Sequence, residues 1–244
     1  MKSILKYLLF VVFNISPLVA VFPDAIGENG AVTSSSKHAS QIGIDVLKNG
    51  GNAIDAAIAV GFALSVTFPN AGNLGGGGFM VIRTSSGEVR TIDFREVAPE
   101  NAFRDMYLDE NGDVISGMSL YTAHASGVPG TVAGFEYAHE RFGTKSWNYL
   151  LRPSIQLATN GFELSFRDAM YLNASRSFFL RDKESAKIFA AQDNYSVGDL
   201  FIQKDLAKTL RRISIGGADE FYKGVTSDMI VQCMKRTGGI ITKT

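Results

Sequence analysis

Apolar positions recur along the chain first at helical spacing and then at strand spacing. From Ala39 to Leu47, Ile42, Val46 and Leu47 share one helical face. Asn49-Gly50-Gly51 predicts the stop of that helix, because glycine readily takes the left-handed conformation that ends helices. Asn52 is placed to cap a second helix, and Asp55 falls at the position where a carboxylate favours the positive helix end. Ala53 to Val66 is apolar nearly all round, which predicts a buried helix whose alanines admit close neighbours.

The pattern then changes. After Pro69 comes a glycine-rich loop, Gly72 to Gly78. Phe79 to Thr84 reads as a strand, Ser85 to Glu88 as a turn, and Val89 to Phe94 as the hairpin partner. Pro99 closes this unit, and Asp109-Glu-Asn-Gly112 predicts a further turn. Ser119 to Gly130 is small and polar. Thr131 to His139 predicts a helix with Val132, Phe135 and Tyr137 partly buried, and Trp147 to Leu157 another, broken early by Pro153. Arg167 to Arg181, Lys204 to Ile215 and Thr226 to Lys235 read as amphipathic helices, with stops at Gly216-Gly217 and Gly238-Gly239. The order is helices, a hairpin, then more helices. It lacks the strand–helix alternation of a doubly wound sheet, and there is no internal repeat.

The N-terminus reads as an address. Lys2 and Lys6 precede the apolar run Tyr7 to Phe13, and Leu18-Val19-Ala20 ends in a small residue. This is the layout of a secretory signal peptide over residues 1–20, with cleavage as late as about residue 25. The run is too short for a spanning helix, which needs about 20 apolar residues. Leu18 is large for a cleavage motif, so a signal anchor is the other reading. The expected location is secreted, in a bacterial periplasm, and residues 26–244 form the expected domain.

Composition narrows the function classes. The 244 residues carry 24 Lys plus Arg and 24 Asp plus Glu, a formal net charge of zero. That argues against a nucleic-acid binder, which needs a basic face. One cysteine, Cys233, and three separated histidines offer no disulfide and no metal-ligand spacing, so neither metal nor cofactor is expected. Glycine is in excess, at 25 residues.

Several chemical motifs fail on inspection. Gly75 to Gly78 is not a nucleotide loop, because the order is helix, glycines, strand, the reverse of what phosphate binding uses. Asp109, Asn111 and Asp113 start like a calcium loop, but Val114 stands where glycine is needed. Ser34-Ser35-Ser36 and Thr122-Ala-His124 lack a nucleophile elbow and read as solvated loops. Asn173-Ala-Ser175 and Asn194-Tyr-Ser196 match the glycosylation sequon, a pattern short enough to arise by chance. Arg95, at the end of the hairpin, has two readings. One is an ordinary surface pair with Asp93 or Glu96. The other is a guanidinium fork gripping a substrate carboxylate through two parallel hydrogen bonds.

Six ordered blocks together carry a family resemblance. They are Ser40 to Ala57, Ala71 to Met80, Ile92 to Pro99, Ser126 to Gly134, Glu220-Phe221-Tyr222-Lys223-Gly224 and Gly238 to Thr242. They resemble the large subunit of the gamma-glutamyltransferase (glutathione hydrolase) family over about Gly30 to Thr244. The resemblance implies an α+β fold: the helix-rich large-subunit portion of an N-terminal-nucleophile hydrolase αββα sandwich. It implies a precursor that cuts itself in two and exposes an N-terminal threonine. That threonine attacks the gamma-glutamyl amide of glutathione, its own amine serving as base. Water or an amino acid then accepts the gamma-glutamyl group. Arg95 would bind the alpha-carboxylate of that group, and Gly75, Gly76, Gly77 and Gly78 would help shape the pocket wall. The implied partners are glutathione or another gamma-glutamyl compound and the small-subunit portion of the same enzyme.

One departure from the family pattern is large. The Thr-Thr-His run that opens the small subunit does not occur, nor do the paired serines and paired glycines used near the scissile bond. No catalytic residue is therefore assigned here, and the chain alone is expected not to turn over glutathione. Loss of a nucleophile costs on the order of 10⁶ in rate in another hydrolase class. Strands without small-subunit partners would leave open edges and a need for a partner. The alternatives are a non-catalytic gamma-glutamyl-binding remnant, or a fragment of a related acylase or capsule-processing transpeptidase.

Overall fold

A computed structural model describes residues 26–243. The signal segment expected over residues 1–20 lies outside them. The chain divides into two units, Met1–Ala31 and Val32–Thr244, and every helix and strand below lies in the second.

Two helices open it: α1, Lys37–Lys48, and α2, Ala53–Thr67. Ser36 caps α1, so one of the three serines has a structural task. Gly50, with φ 79°, makes the predicted left-handed stop. Asn52 caps α2 through bonds from the Ile54 and Asp55 amides, and the Asp55 carboxylate in turn accepts from the Asn52 N–H. Ile58, Ala59, Phe62, Ala63 and Val66 of α2 are fully buried. The Phe62 ring meets Phe135 at 5.2 Å and Trp147 at 5.3 Å, both edge to face, an arrangement aromatic pairs favour.

The hairpin follows as β1, Phe79–Arg83, and β2, Val89–Asp93. They are antiparallel, with Val81 opposite Thr91 and Met80 opposite Ile92. Period-two alternation puts Ile82 and Ile92 into the core and leaves Phe79, Val81 and Val89 exposed on the other face. The small, polar stretch is partly helical: α3 is a single turn, Met118–Tyr121, followed by a 3-10 turn at Ala123–Ala125.

Next come α4, Thr131–Phe142, and α5, Trp147–Asn160. The sequence expectation fails here at two positions. Tyr137 is 46% exposed, because it faces away from the side that buries Val132, Phe135 and Ala138. Pro153 does not break α5, although it removes one helical hydrogen bond. Leu150 and Leu151 before it, and Ser154 and Ala158 after it, are all completely buried. Burial on both sides of the proline outweighs one lost bond, since packing supplies most helical stability.

The rest comprises α6 (Phe166–Ala174), α7 (Arg176–Phe179), α8 (Lys183–Phe189), α9 (Lys204–Lys223) and α10 (Val225–Thr237). The break expected at Gly216-Gly217 is a kink inside α9, where Gly217 has φ 63°. A second two-stranded antiparallel sheet, unforeseen in the sequence, pairs β3 (Phe162–Glu163) with β4 (Leu200–Phe201). Asn173 serves as a bracket: its amide donates to the Tyr195 carbonyl and accepts from the Tyr195 N–H, both at 2.8 Å. That occupation speaks against its sequon reading. Among the described residues no helix is long and apolar enough to cross a membrane.

Candidate functional site

Arg95 stands two residues past the end of β2, and its position is set from the backbone outward. The Arg95 N–H donates to Asp93 Oδ1 at 2.9 Å, which turns the chain out of the strand. Just before it, Phe94 continues the hairpin by exchanging backbone bonds with Gly78. Just after it, Val97 and Val128 exchange backbone bonds at 3.2 and 2.8 Å. A flexible side chain thus stands on a fixed base.

The guanidinium lies along Glu96, with Nε 3.3 Å from Oε2 and Nη2 3.4 Å from Oε1. It also sits 5.8 Å from the centre of the Phe79 ring. The surface pair is therefore real, and the fork stays accessible: the side chain is 57% exposed. Among the described residues Nη1 makes no hydrogen bond, so one edge of the fork is open to a carboxylate. The Glu96 carboxyl is held below the usual carboxylate range, chiefly by its own backbone N–H. Desolvation opposes this lowering, and the Arg95 charge reinforces it. The Glu96 carboxyl is thus ionised at neutral pH.

The four glycines divide by role. A Cβ on Gly77 would lie 2.4 Å from the Phe94 carbonyl oxygen and 2.6 Å from the Glu96 nitrogen. One on Gly78 would touch the Phe94 ring at 3.1 Å, and one on Gly76 would strike the Asn73 side chain. Only Gly75 faces open space. The loop lies directly against the two residues that flank Arg95, a close approach that only glycine permits. Gly77→Ala should therefore push the Phe94–Glu96 backbone outward and destabilise the protein by about 1–3 kcal/mol. Gly75→Ala should stay within about 0.5 kcal/mol of wild type. Urea melts of the two variants provide the check, and equal midpoints would contradict the close-approach argument.

Beside β2 lies a groove of about 350 Å³, lined among others by Thr91, Asp93, Gly130, Gly134 and Tyr137. Sequence reasoning missed the residues that connect the parts. Asn73 Oδ1 accepts from the Gly76 N–H at 2.8 Å and from the Thr131 hydroxyl at 3.2 Å. The Tyr222 hydroxyl donates to the Pro129 carbonyl at 2.9 Å, and burial pushes its phenol above the usual range. Asn73, Thr131 and Tyr222 each lie in one of the six blocks, but spacing along the chain gives no hint that they converge.

The fold is α+β, the helix-rich portion of an N-terminal-nucleophile hydrolase. The gamma-glutamyltranspeptidase family model matches residues 39–244, and the chain belongs to that family. It is 50% identical over 218 residues to the glutathione hydrolase proenzyme of Pseudomonas sp. (strain A14), covering 88% of this chain and 38% of that protein. The chain thus spans under two-fifths of the length of this relative. The crystal structure of Helicobacter pylori gamma-glutamyltranspeptidase superposes with a TM-score of 0.88 at 48% identity, over 91% of this chain and 64% of that one. The Bacillus anthracis transpeptidase CapD is more distant, with a TM-score of 0.70 at 32% identity, over 86% of this chain and 66% of that one.

Proposed function

We propose that this chain supplies the gamma-glutamyl-binding side of a glutathione hydrolase. The observation that carries the reading is the paired, accessible charge of Arg95 and Glu96 on a fixed backbone. An alpha-carboxylate of the gamma-glutamyl group takes the open edge of the Arg95 fork, and Glu96 offers the opposite charge to the adjacent ammonium. Such a clamp fixes orientation and carries out no bond-breaking. Only Gly75 of the four glycines is free to face a ligand, and the others set the height of Arg95.

The attacking threonine of such a hydrolase belongs to a Thr-Thr-His run absent from these 244 residues. The corresponding portion of a family-length polypeptide is the partner, and the exposed hairpin face of Phe79, Val81 and Val89 is where strands from it would pack. The higher identity to gamma-glutamyltranspeptidases than to CapD supports a gamma-glutamyl compound such as glutathione as substrate. Export to a bacterial envelope rests on the basic, apolar and small residues of positions 1–20.

An assay with a gamma-glutamyl anilide tests this. Release is expected when the purified chain is mixed with a segment bearing the Thr-Thr-His run, and no release from the chain alone. Steady release by the chain alone would show that the nucleophile lies within it and sink the proposal.

A further inference from the structure

Thr131 is buried, 4% exposed, at the first position of α4. That helix has no side-chain cap, so its leading N–H groups must find partners elsewhere. Two of them find the glycine loop: the Gly130 and Thr131 N–H groups donate to the Gly76 carbonyl at 2.7 and 3.0 Å. The Ala133 N–H donates to the Tyr222 hydroxyl at 3.3 Å. The Thr131 hydroxyl then donates to Asn73 Oδ1, which also accepts from the Gly76 N–H. Gly76 is therefore held on both its amide and its carbonyl, and among the described residues Thr131 is the one that reaches both arms. From Gly76 the constraint passes through Gly77, against the Phe94 carbonyl and the Glu96 nitrogen, to the turn that carries Arg95.

We propose that Thr131 is a positioning residue for Arg95, its hydroxyl locking the Asn73–Gly76 arm so that the Arg95 turn keeps one height. Its consequence for ligand binding rests on the reading of Arg95 as a gamma-glutamyl clamp. Thr131 makes no contact with the guanidinium itself; it acts through the loop.

Thr131→Val removes the hydroxyl at nearly constant volume, and Thr131→Ser restores it. Hydrogen exchange of the full chain, read by NMR, is the first measurement. The Gly76, Gly78 and Phe94 amides should exchange about tenfold faster in Thr131→Val, while amides of α5 and α9 keep wild-type rates, as expected of a local opening. Thr131→Ser should return them to wild-type rates. A uniform acceleration would mean general destabilisation, and no acceleration would mean the hydroxyl holds nothing; either overturns the proposal. The second measurement is calorimetric titration with glutathione. Thr131→Val should bind about tenfold more weakly and Thr131→Ser as wild type, a change of about 1.4 kcal/mol. Faster loop exchange with unchanged binding would also overturn it. If wild type binds no glutathione, the clamp reading fails, and positioning is then judged by the Arg95 Nε–H resonance. A shift in Thr131→Val that Thr131→Ser reverses supports it, and an unmoved resonance overturns it.

Discussion

Replacement of Asp55 by alanine is expected to destabilise the protein by about 3 kcal/mol or more. Asp55 is completely buried near the start of α2. Its Oδ1 accepts from the Thr144 and Lys145 N–H groups at 2.9 and 3.2 Å. Its Oδ2 accepts from the Asn52 N–H at 2.9 Å and the Thr144 hydroxyl at 2.5 Å. One carboxylate thus caps α2 and pins the loop that leads into α5. Alanine would remove an ionised acceptor shared by three part-buried backbone donors and the Thr144 hydroxyl, and hydrogen bonds to a charged group contribute about 1.5–3 kcal/mol each. For a domain of this size the melting temperature should fall by roughly 6–12 °C.

Burial alone would raise the Asp55 pKa. The Thr144 hydroxyl and the three backbone N–H groups outweigh it, and the net shift is downward from the ordinary value of 3.8. A carboxyl depressed in the folded state stabilises fully above its unfolded pKa, and that contribution is lost as pH falls through the lower folded value. The stability gap between wild type and Asp55→Asn should therefore be full at neutral pH and narrow only below about pH 3.8. Thermal melts across pH 2–7 measure it. A gap that stays constant down to the acid limit would show that the ionised form is not what the site holds.

Asp55 also marks the boundary of what the sequence could convey. Its capping role was legible, because Asn52 and Asp55 lie in one turn and capping is a local matter. Its bonds to Thr144 and Lys145 were not, since they join residues 89 and 90 apart. The same division holds elsewhere. The helix stop at Gly50 and the hairpin were readable, each set by residues adjacent in the chain, while Gly216-Gly217 marked the position of a break but not that the helix resumes beyond it. The β3–β4 pair links Phe162 to Phe201 through two residues on each side, too few to leave a periodic trace. Pro153 misled because its local penalty was visible and the burial that outweighs it was not. At the candidate site, Arg95 and the glycine loop stood out in their blocks. The Asn73–Thr131 bond, 58 residues apart, and the Glu136–Ala218 bond, 82 apart, hold the frame and have no local signature.

Removal of the Arg95 guanidinium should leave the fold intact and weaken gamma-glutamyl recognition. The side chain is more than half exposed and its partner Glu96 is solvent-accessible, so Arg95→Ala should shift stability by no more than about 0.5 kcal/mol. A charge-assisted clamp on a ligand carboxylate contributes about 1.5–3 kcal/mol, so the variant should bind glutathione roughly 10- to 150-fold more weakly. Arg95→Lys separates charge from geometry. Lysine keeps the cation and lacks the planar fork, so its affinity should fall between the other two. Gamma-glutamyl compounds lacking the alpha-carboxylate should bind wild type and Arg95→Ala alike, because the lost contact is the one they never make. Titration calorimetry on the three proteins, with melts to confirm folding, decides the matter. Unchanged glutathione affinity in Arg95→Ala would return Arg95 to the ordinary surface pair with Glu96 and remove the clamp from the proposed function.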